Sequence, residues 1–249
     1  ECPAALLRIG DSERGLALSS SGWSLYMEGD PYLGAVHGVA TTLRRLASVG
    51  ARPVCVAGAL HFGDPDKPRA IWAFSEAARG LGDPCRHWEI PIISDVVTFH
   101  NGTDVTPTLP TPQIFMLGVV ENLSRVPGIA FRRVGDRVFL LGETRDEVGC
   151  SEYASYYHDR LGGSVPDIDF DRERRGTELI RELVASGLLC SAHTLSLGGL
   201  AIALTEACLM REKAIGATLL MHDTEQKMRA DTLLFSETSG RYLISFRES

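Results

Sequence analysis

The stretch from residue 191 to residue 200 reads Ser-Ala-His-Thr-Leu-Ser-Leu-Gly-Gly-Leu and stands directly before an apolar run. In it, His193 and the pair Gly198-Gly199 lie where a strand or loop would pass into a helix. Such a junction exposes free backbone N–H groups and the positive end of a helix dipole, and both attract an anion. The stretch therefore predicts an anion site, whereas the absence of a carboxylate between Cys190 and Glu206 argues against a bound metal.

These residues and a second turn also have plainer interpretations. A lone histidine such as His193 is usually a hydrogen-bonded core residue, and a Gly-Gly pair allows close helix packing as readily as close approach to a phosphate. The second turn, His61-Phe62-Gly63-Asp64-Pro65-Asp66-Lys67-Pro68, lies where ligands bind on α/β sheets, and Lys67 could hold a phosphate there. Glycine, proline and aspartate also make tight surface turns, and composition alone favours that interpretation.

Two acidic residues complete the set of candidates. Asp30 precedes Pro31, and this pair is typical of a helix N-terminus with the aspartate as capping residue. Glu237, in Phe235-Ser236-Glu237-Thr238, is a candidate metal ligand or base, although a solvated or capping glutamate is the commoner case. The chain has no P-loop, GxGxxG fingerprint, nucleophile elbow or HExxH motif, so the residues alone indicate only anion sites.

The bulk composition fits a globular protein of one large domain or two ordinary ones. The 249 residues are 44% hydrophobic and 23% charged, with a formal net charge of −7. That charge argues against a nucleic-acid surface, and without an apolar run of about 18 residues no membrane span is expected. The six cysteines lack zinc-site spacing and indicate reduced thiols in the cytoplasm. The chain starts without methionine, and we expect it to be a piece of a longer protein or a processed chain.

Short apolar runs and helical periodicities mark the elements that must position the candidates. Strand patterns occupy residues 4–9, 15–19, 53–60, 90–99, 113–120, 137–141, 217–221 and 242–246. Helical patterns occupy residues 30–50, 69–81, 152–161, 171–186, 200–210 and 225–230, with Pro84 obscuring the end of the second. The alternation predicts α/β or α+β layers, and the region around Pro127-Gly128 predicts a division into domains 1–126 and 127–249.

Several motifs follow one another along nearly the whole chain. They are Asp30-Pro31-Tyr32-Leu33-Gly34-Ala35, Val49-Gly50-Ala51-Arg52-Pro53, the turn from Leu60 to Pro68, Leu109-Pro110-Thr111-Pro112, Leu141-Gly142-Glu143, Gly149-Cys150-Ser151-Glu152-Tyr153, Ser191-Ala192-His193 and Leu234-Phe235-Ser236-Glu237. In this order the motifs resemble phosphoribosylformylglycinamidine synthase, the amidotransferase of purine synthesis. The resemblance is to the second of the two homologous halves of that enzyme.

The resemblance implies a fold, an activity and partners. The fold is that of the aminoimidazole ribonucleotide synthetase-like superfamily, with an N-terminal sheet domain that pairs with a partner sheet and a C-terminal α/β domain. The activity is an ATP-dependent C–N ligation, in which ATP and magnesium serve to phosphorylate an amide oxygen before ammonia from a glutaminase displaces the phosphate. The expected partners are a catalytic first half or a second copy of this chain, together with a glutaminase subunit, in the cytoplasm.

This chain departs from the family pattern at positions that carry acids. The family has Thr-Asp-Cys-Leu-Asn-Phe-Gly where this chain has residues 57–63, and here the acid becomes Gly58. It has Ser-Gly-Asn-Val-Ser-Leu-Tyr-Asn-Glu where this chain has residues 94–102, beginning Ser94-Asp95 and ending in Gly102. In the His-Asp-x-Ser-Asp/Glu-Gly-Gly motif, Thr194 and Leu197 replace two more acids.

Because magnesium needs several oxygen ligands, these losses predict a weak or empty nucleotide pseudo-site and no catalytic residue in this segment. The candidates for nucleotide or phosphate binding are Asp30, His61, Lys67, His193, Gly198 and Gly199, and the metal candidate is Glu237. The preferred interpretation is a structural second half of the synthase. The alternatives are a stand-alone, non-catalytic paralogue that dimerises and binds a partner or metabolite, and an independent kinase-like enzyme of the superfamily. We expect the isolated chain to form a homodimer through its uncovered sheet.

Overall fold

The first sheet and its helices come from the N-terminal half of the chain. The structure, a computed structural model, describes residues 3–103, 108–159, 162–220 and 228–247. The strands are β1 (Ala5–Arg8), β2 (Gly15–Ser21), β3 (Arg52–His61), β4 (Ile92–Thr98) and β5 (Thr111–Val120). They form one five-stranded sheet in the order β1-β2-β5-β3-β4, in which only the β3–β4 pair is parallel among the described residues.

Three helices accompany this sheet, and they are α1 (Ser24–Gly29), α2 (Pro31–Ser48) and α3 (Pro68–His87). Helix α2 begins where the sequence predicts, because the Asp30 side chain accepts a hydrogen bond from the Leu33 N–H at 3.0 Å and Pro31 supplies the first turn. Apolar side chains of α2 and α3 pack on one face of the sheet to form the main core. The opposite face of the sheet has no helix of this kind against it among the described elements.

The second sheet lies in the C-terminal half. It contains β6 (Arg137–Leu141), β7 (Leu189–Thr194) and β8 (Tyr242–Phe246), paired antiparallel in the order β6-β8-β7. The helices of this half are α4 (Glu152–His158), α5 (Phe170–Ser186), α6 (Gly199–Leu209) and α7 (Ala230–Phe235), and a 3₁₀ turn at Leu123–Arg125 precedes them. The predicted domain division at residues 126 and 127 falls in the connection between the two sheets, and as a boundary it stays a prediction.

Helix α2 packs on both halves of the chain. Its Val36 and Ala40 lie in one apolar cluster with Ile168, and its Ala47 lies in another with residues of α5. Arg44 of α2 forms a buried ion pair with Glu173 of α5, with 2.7 Å between Nη1 and Oε1. A long helix with an almost wholly buried surface therefore joins the two halves.

Most predicted elements are confirmed, and four differ. The second helix runs on through Pro84 to His87, because its apolar face continues into the core at Leu81, Pro84 and Cys85. The predicted strand at 217–221 is wrong for residues 217–220, which are exposed and pair with no described strand. Helix α4 ends at His158 instead of residue 161. The predicted helix at 225–230 lies largely outside the described residues, and α7 begins at Ala230.

Candidate functional site

The carboxylate of Glu237 lies against the predicted anion turn. Its Oε1 accepts hydrogen bonds from the Gly198 N–H at 2.8 Å and from the Glu152 N–H at 3.2 Å, and its Oε2 accepts one from the Tyr26 hydroxyl at 2.8 Å. Glu237 is only 3% exposed, and burial raises its pKa while the three donors act in the opposite direction. The carboxylate of Glu237, from the same chain, therefore already binds the N–H group that the turn would offer to an anion.

The two glycines of this turn serve close packing within the protein. Gly198 and Gly199 have φ values of +74° and +61°, which L side chains rarely adopt. The Gly199 N–H donates to the Ser196 carbonyl at 3.1 Å, and a Cβ on Gly199 would lie 2.3 Å from the Ser236 carbonyl oxygen. Because protein acceptors already take both N–H groups, the packing interpretation explains the pair, and a phosphate-binding role for it stays a prediction.

His193 has an acidic partner that sequence spacing does not reveal. Its Nε2 lies 2.6 Å from Oε2 of Glu206, which belongs to α6 on the far side of the turn. This hydrogen bond is the largest influence that lowers the pKa of Glu206, and Arg45 of α2 adds a smaller one. The Nδ1 atom of His193 is buried and has no hydrogen-bond partner among the described residues. His193 is thus a mostly buried histidine held at the junction of the two halves.

The other predicted phosphate candidates lie elsewhere. His61, at the end of β3, places Nδ1 2.7 Å from the Thr98 hydroxyl of β4. Lys67 is exposed at the end of a tight turn, in which the Asp66 N–H donates to the Asp64 carboxylate at 2.9 Å. Asp30 is used as the cap of α2. Among the hydrogen bonds of the described residues, none joins these three to the turn at Gly198-Gly199, and their ligand-binding roles stay predictions.

An acid lies beside Gly58, one of the positions where the resemblance implies that this chain lacks an acid. Gly58 of β3 and Asp95 of β4 are register partners, and the Asp95 carboxylate accepts a hydrogen bond from the Gly58 N–H. A Cβ on Gly58 would stand only 2.5 Å from Oδ1 of Asp95. Burial raises the pKa of Asp95, and it also raises the pKa of the neighbouring Cys85 thiol to about 12. The backbone at Gly58 therefore contacts a carboxylate that comes from the neighbouring strand.

The donor set does not fit a magnesium ion. Within the part of the chain that the structure describes, no group of three or more His, Cys, Asp or Glu side chains is placed to hold a metal. Hard cations prefer six or more oxygen ligands, several of them usually carboxylates. Glu237 as a metal ligand stays a prediction, and its two oxygens already accept three hydrogen bonds from the protein.

The uncovered face of the first sheet is apolar. Along β2 and β5, buried residues such as Ala17 and Met116 point to the helices, whereas Leu18 and Phe115 on the other face are 47% and 37% exposed. Leu18 stands opposite Leu117 in the strand register, so these side chains form a continuous patch. None of the helices within the described residues is long and apolar enough to cross a membrane.

Sequence comparisons agree with the motifs. Residues 3–120 match the family "AIR synthase related protein, N-terminal domain", and residues 133–249 match its C-terminal domain. The chain is 40% identical, over 97% of its length, to the phosphoribosylformylglycinamidine synthase subunit PurL of Anaeromyxobacter dehalogenans, and it spans 33% of that relative. It is 38% identical, over 98% of its length, to the PurL subunit of Methanocaldococcus jannaschii and spans 34% of it. The chain thus spans about a third of the length of the curated relatives it matches.

Solved structures share the fold. T. maritima PurL complexed with FGAR superposes with a TM-score of 0.75 at 20% identity, covering 99% of this chain and 40% of that one. A HypE-HypF complex gives a TM-score of 0.66 at 16% identity, covering 99% of this chain and 78% of that one. The predicted fold class and the resemblance drawn from the motifs are both confirmed. With both of its domain types matched in order along the sequence, the chain belongs to the AIR synthase related protein family.

Proposed function

We propose that this chain is the second-half segment of an ATP-dependent phosphoribosylformylglycinamidine synthase of purine synthesis, and that it serves as a scaffold for a catalytic first half. The observation that carries this proposal is the uncovered apolar face of the first sheet, around Leu18, Phe115 and Leu117. Relatives about three times as long as this chain supply the other supporting fact, since a partner sheet could come from the same polypeptide. We place the assembly in the cytoplasm, with a glutaminase subunit as the source of ammonia.

A scaffold role agrees with the chemistry of the turns. The donor set lacks the cluster of oxygen ligands that magnesium requires, within the described residues. The N–H groups of the Gly-Gly turn are taken by Glu237 and Ser196. We therefore infer that any nucleotide pseudo-site on this segment is weak or empty and that ATP turns over elsewhere in the assembly.

The sheet-face proposal is tested by the oligomeric state of the chain. A segment that normally faces a partner sheet should form a homodimer in solution, because an uncovered apolar patch of this kind favours association. Light scattering at micromolar concentration is expected to give twice the chain mass. Phe115→Lys should give the monomer mass, whereas Val134→Lys should leave the dimer intact, since Val134 is 89% exposed on the other half of the chain. A monodisperse wild-type monomer would contradict the proposal.

The empty-site part is tested separately by calorimetric titration with Mg-ATP. We expect no metal-dependent binding with a micromolar Kd. Tight binding that chelation with EDTA abolishes would contradict the scaffold role without bearing on the sheet interface.

A further inference from the structure

We propose that Glu237 is a positioning residue whose carboxylate acts as an internal anion and holds the Gly198-Gly199 turn in the place of a diffusible phosphate or carboxylate. This inference rests on the proposed function in one respect only, namely that the turn belongs to a nucleotide pseudo-site. The claim that Glu237 holds the turn depends only on the hydrogen bonds of this buried side chain.

Three donors from three separate segments converge on this carboxylate. Tyr26 belongs to α1 of the first half, Glu152 is the first residue of α4, and Gly198 directly precedes α6. Hydrogen bonds to an ionised acceptor are stronger than those between neutral groups, and donors left without an acceptor in the interior are costly. One negative charge therefore satisfies groups on both halves of the chain.

Burial raises the pKa of Glu237, and the three hydrogen bonds act in the opposite direction by stabilising the carboxylate form. Arg241 is fully buried nearby. Burial lowers its pKa to about 10, whereas the charge of Glu147 and, more weakly, that of Glu237 act to raise it. Burial raises the pKa of Tyr26 well above its usual range, so its hydroxyl stays protonated and able to donate. The guanidinium of Arg241 donates to the Thr144 hydroxyl and to the Thr238 and Ser236 carbonyls, so these hydrogen bonds do not involve the Glu237 carboxylate.

If the Glu237 carboxylate acts as an internal anion, a small anion from solution should be able to take its place after the side chain is removed. An ordinary packing contact would not show this rescue. Glu237→Ala should leave a polar cavity whose walls carry the three donors. Formate or acetate at that position would restore their acceptor, and binding to the folded state alone stabilises it by mass action. Packing side chains, in contrast, are not replaced by a charged solute.

The experiment compares wild type, Glu237→Ala and Tyr26→Phe by chemical denaturation, with formate added against sodium chloride at equal ionic strength. Glu237→Ala should unfold more readily than wild type. Its unfolding equilibrium constant should fall about tenfold at a formate concentration ten times the formate Kd. Tyr26→Phe removes one donor and keeps the carboxylate, so formate should change neither it nor the wild type beyond the chloride effect.

A second readout covers the case in which Glu237→Ala does not accumulate as a folded protein. Its refolding yield should then rise with formate concentration, while Glu237→Asp, which keeps the charge, should refold without formate. A Glu237→Ala variant as stable as wild type, or one that responds equally to chloride and formate, overturns the proposal. Formate rescue together with tight Mg-ATP binding by wild type would sustain the internal anion and overturn the scaffold role, so the two failures are distinguishable.

Discussion

The Asp95 carboxylate occupies the space that a side chain on Gly58 would need. The two residues are paired on adjacent strands, and a Cβ on Gly58 would stand 2.5 Å from Oδ1 of Asp95. Real Cβ atoms do not approach an oxygen so closely, so a side chain at position 58 requires the Asp95 carboxylate to move away from its present place.

The first prediction concerns this shared space. Gly58→Ala should destabilise the protein by about 1 kcal/mol, because the added methyl group displaces the exposed Asp95 carboxylate from its hydrogen bond with the Gly58 N–H. In an Asp95→Ala background the same change should be neutral or slightly stabilising, since alanine is preferred to glycine inside a strand. Urea denaturation of the four proteins measures the coupling. Equal costs of Gly58→Ala in both backgrounds would refute the shared-space explanation.

The second prediction separates backbone strain from steric contact at the Gly-Gly turn. Gly199→Ala should cost more than about 3 kcal/mol, since it combines a positive φ with a Cβ placed 2.3 Å from the Ser236 carbonyl oxygen. Gly187→Ala is the matched control, because Gly187 has a φ of +73° and no atom within 4 Å of its Cβ position. It should cost only about 1 kcal/mol. Similar losses for both variants in thermal unfolding would show that contact with Ser236 is unimportant.

The third prediction concerns the buried ion pair between α2 and α5. Arg44→Met should destabilise the folded state by about 3–5 kcal/mol, because the Glu173 carboxylate is then buried without its charge partner. Arg44→Met/Glu173→Leu should recover most of that loss. The exposed pair Arg174–Glu178 serves as control, and Glu178→Gln should change the free energy of unfolding by less than about 0.5 kcal/mol. Equal losses of unfolding free energy for Arg44→Met and Glu178→Gln would show that the buried ion pair contributes no more to stability than the exposed one.

The fourth prediction is a loss of stability in mild acid caused by His37. Burial lowers the pKa of this histidine to about 3, and its neutral ring donates from Nε2 to the Pro166 carbonyl at 2.7 Å. Below its unfolded pKa near 6.5, the unfolded chain binds a proton that the folded chain does not, so stability falls as the pH falls. The contribution from pH 7 to pH 4.5 is about 2.5 kcal/mol.

His37→Gln supplies the control for this effect, since glutamine keeps a donor and cannot titrate. Denaturation of both proteins between pH 7 and pH 4.5 isolates the histidine from the carboxylates, which change stability equally in the two. Parallel curves for wild type and variant would show that His37 does not couple protonation to folding.

Local signals in the sequence were enough for much of the fold. The Asp30-Pro31 pair predicts the start of α2, and short apolar runs predict the strands that flank it. The end of α3 was missed because proline usually stops a helix, whereas Pro84 is buried on an apolar face that continues past it. The strand predicted at 217–221 is wrong for residues 217–220, because this apolar run pairs with no strand among the described residues.

The site depends on contacts that no local pattern encodes. The Gly198 turn is predicted from its glycines, but its anion is Glu237, and the hydroxyl that binds the other oxygen comes from Tyr26, 211 positions earlier. Glu206 lies 13 residues after His193, a distance that matches no ligand spacing, and only the return of α6 beside β7 brings them together. Such pairs follow from the topology and can be found only after it is known.

The burial of α2 against both halves limits both proteolysis between the two sheets and recombination of either half with another protein. A protease that cleaved the connection between the sheets and separated the pieces would leave Arg44 on one fragment and Glu173 on the other, each stripped of its countercharge. Recombination that paired either piece with an unrelated module would meet the same obstacle. We therefore expect the two halves of this chain to be inherited together and not to be exchanged separately between proteins.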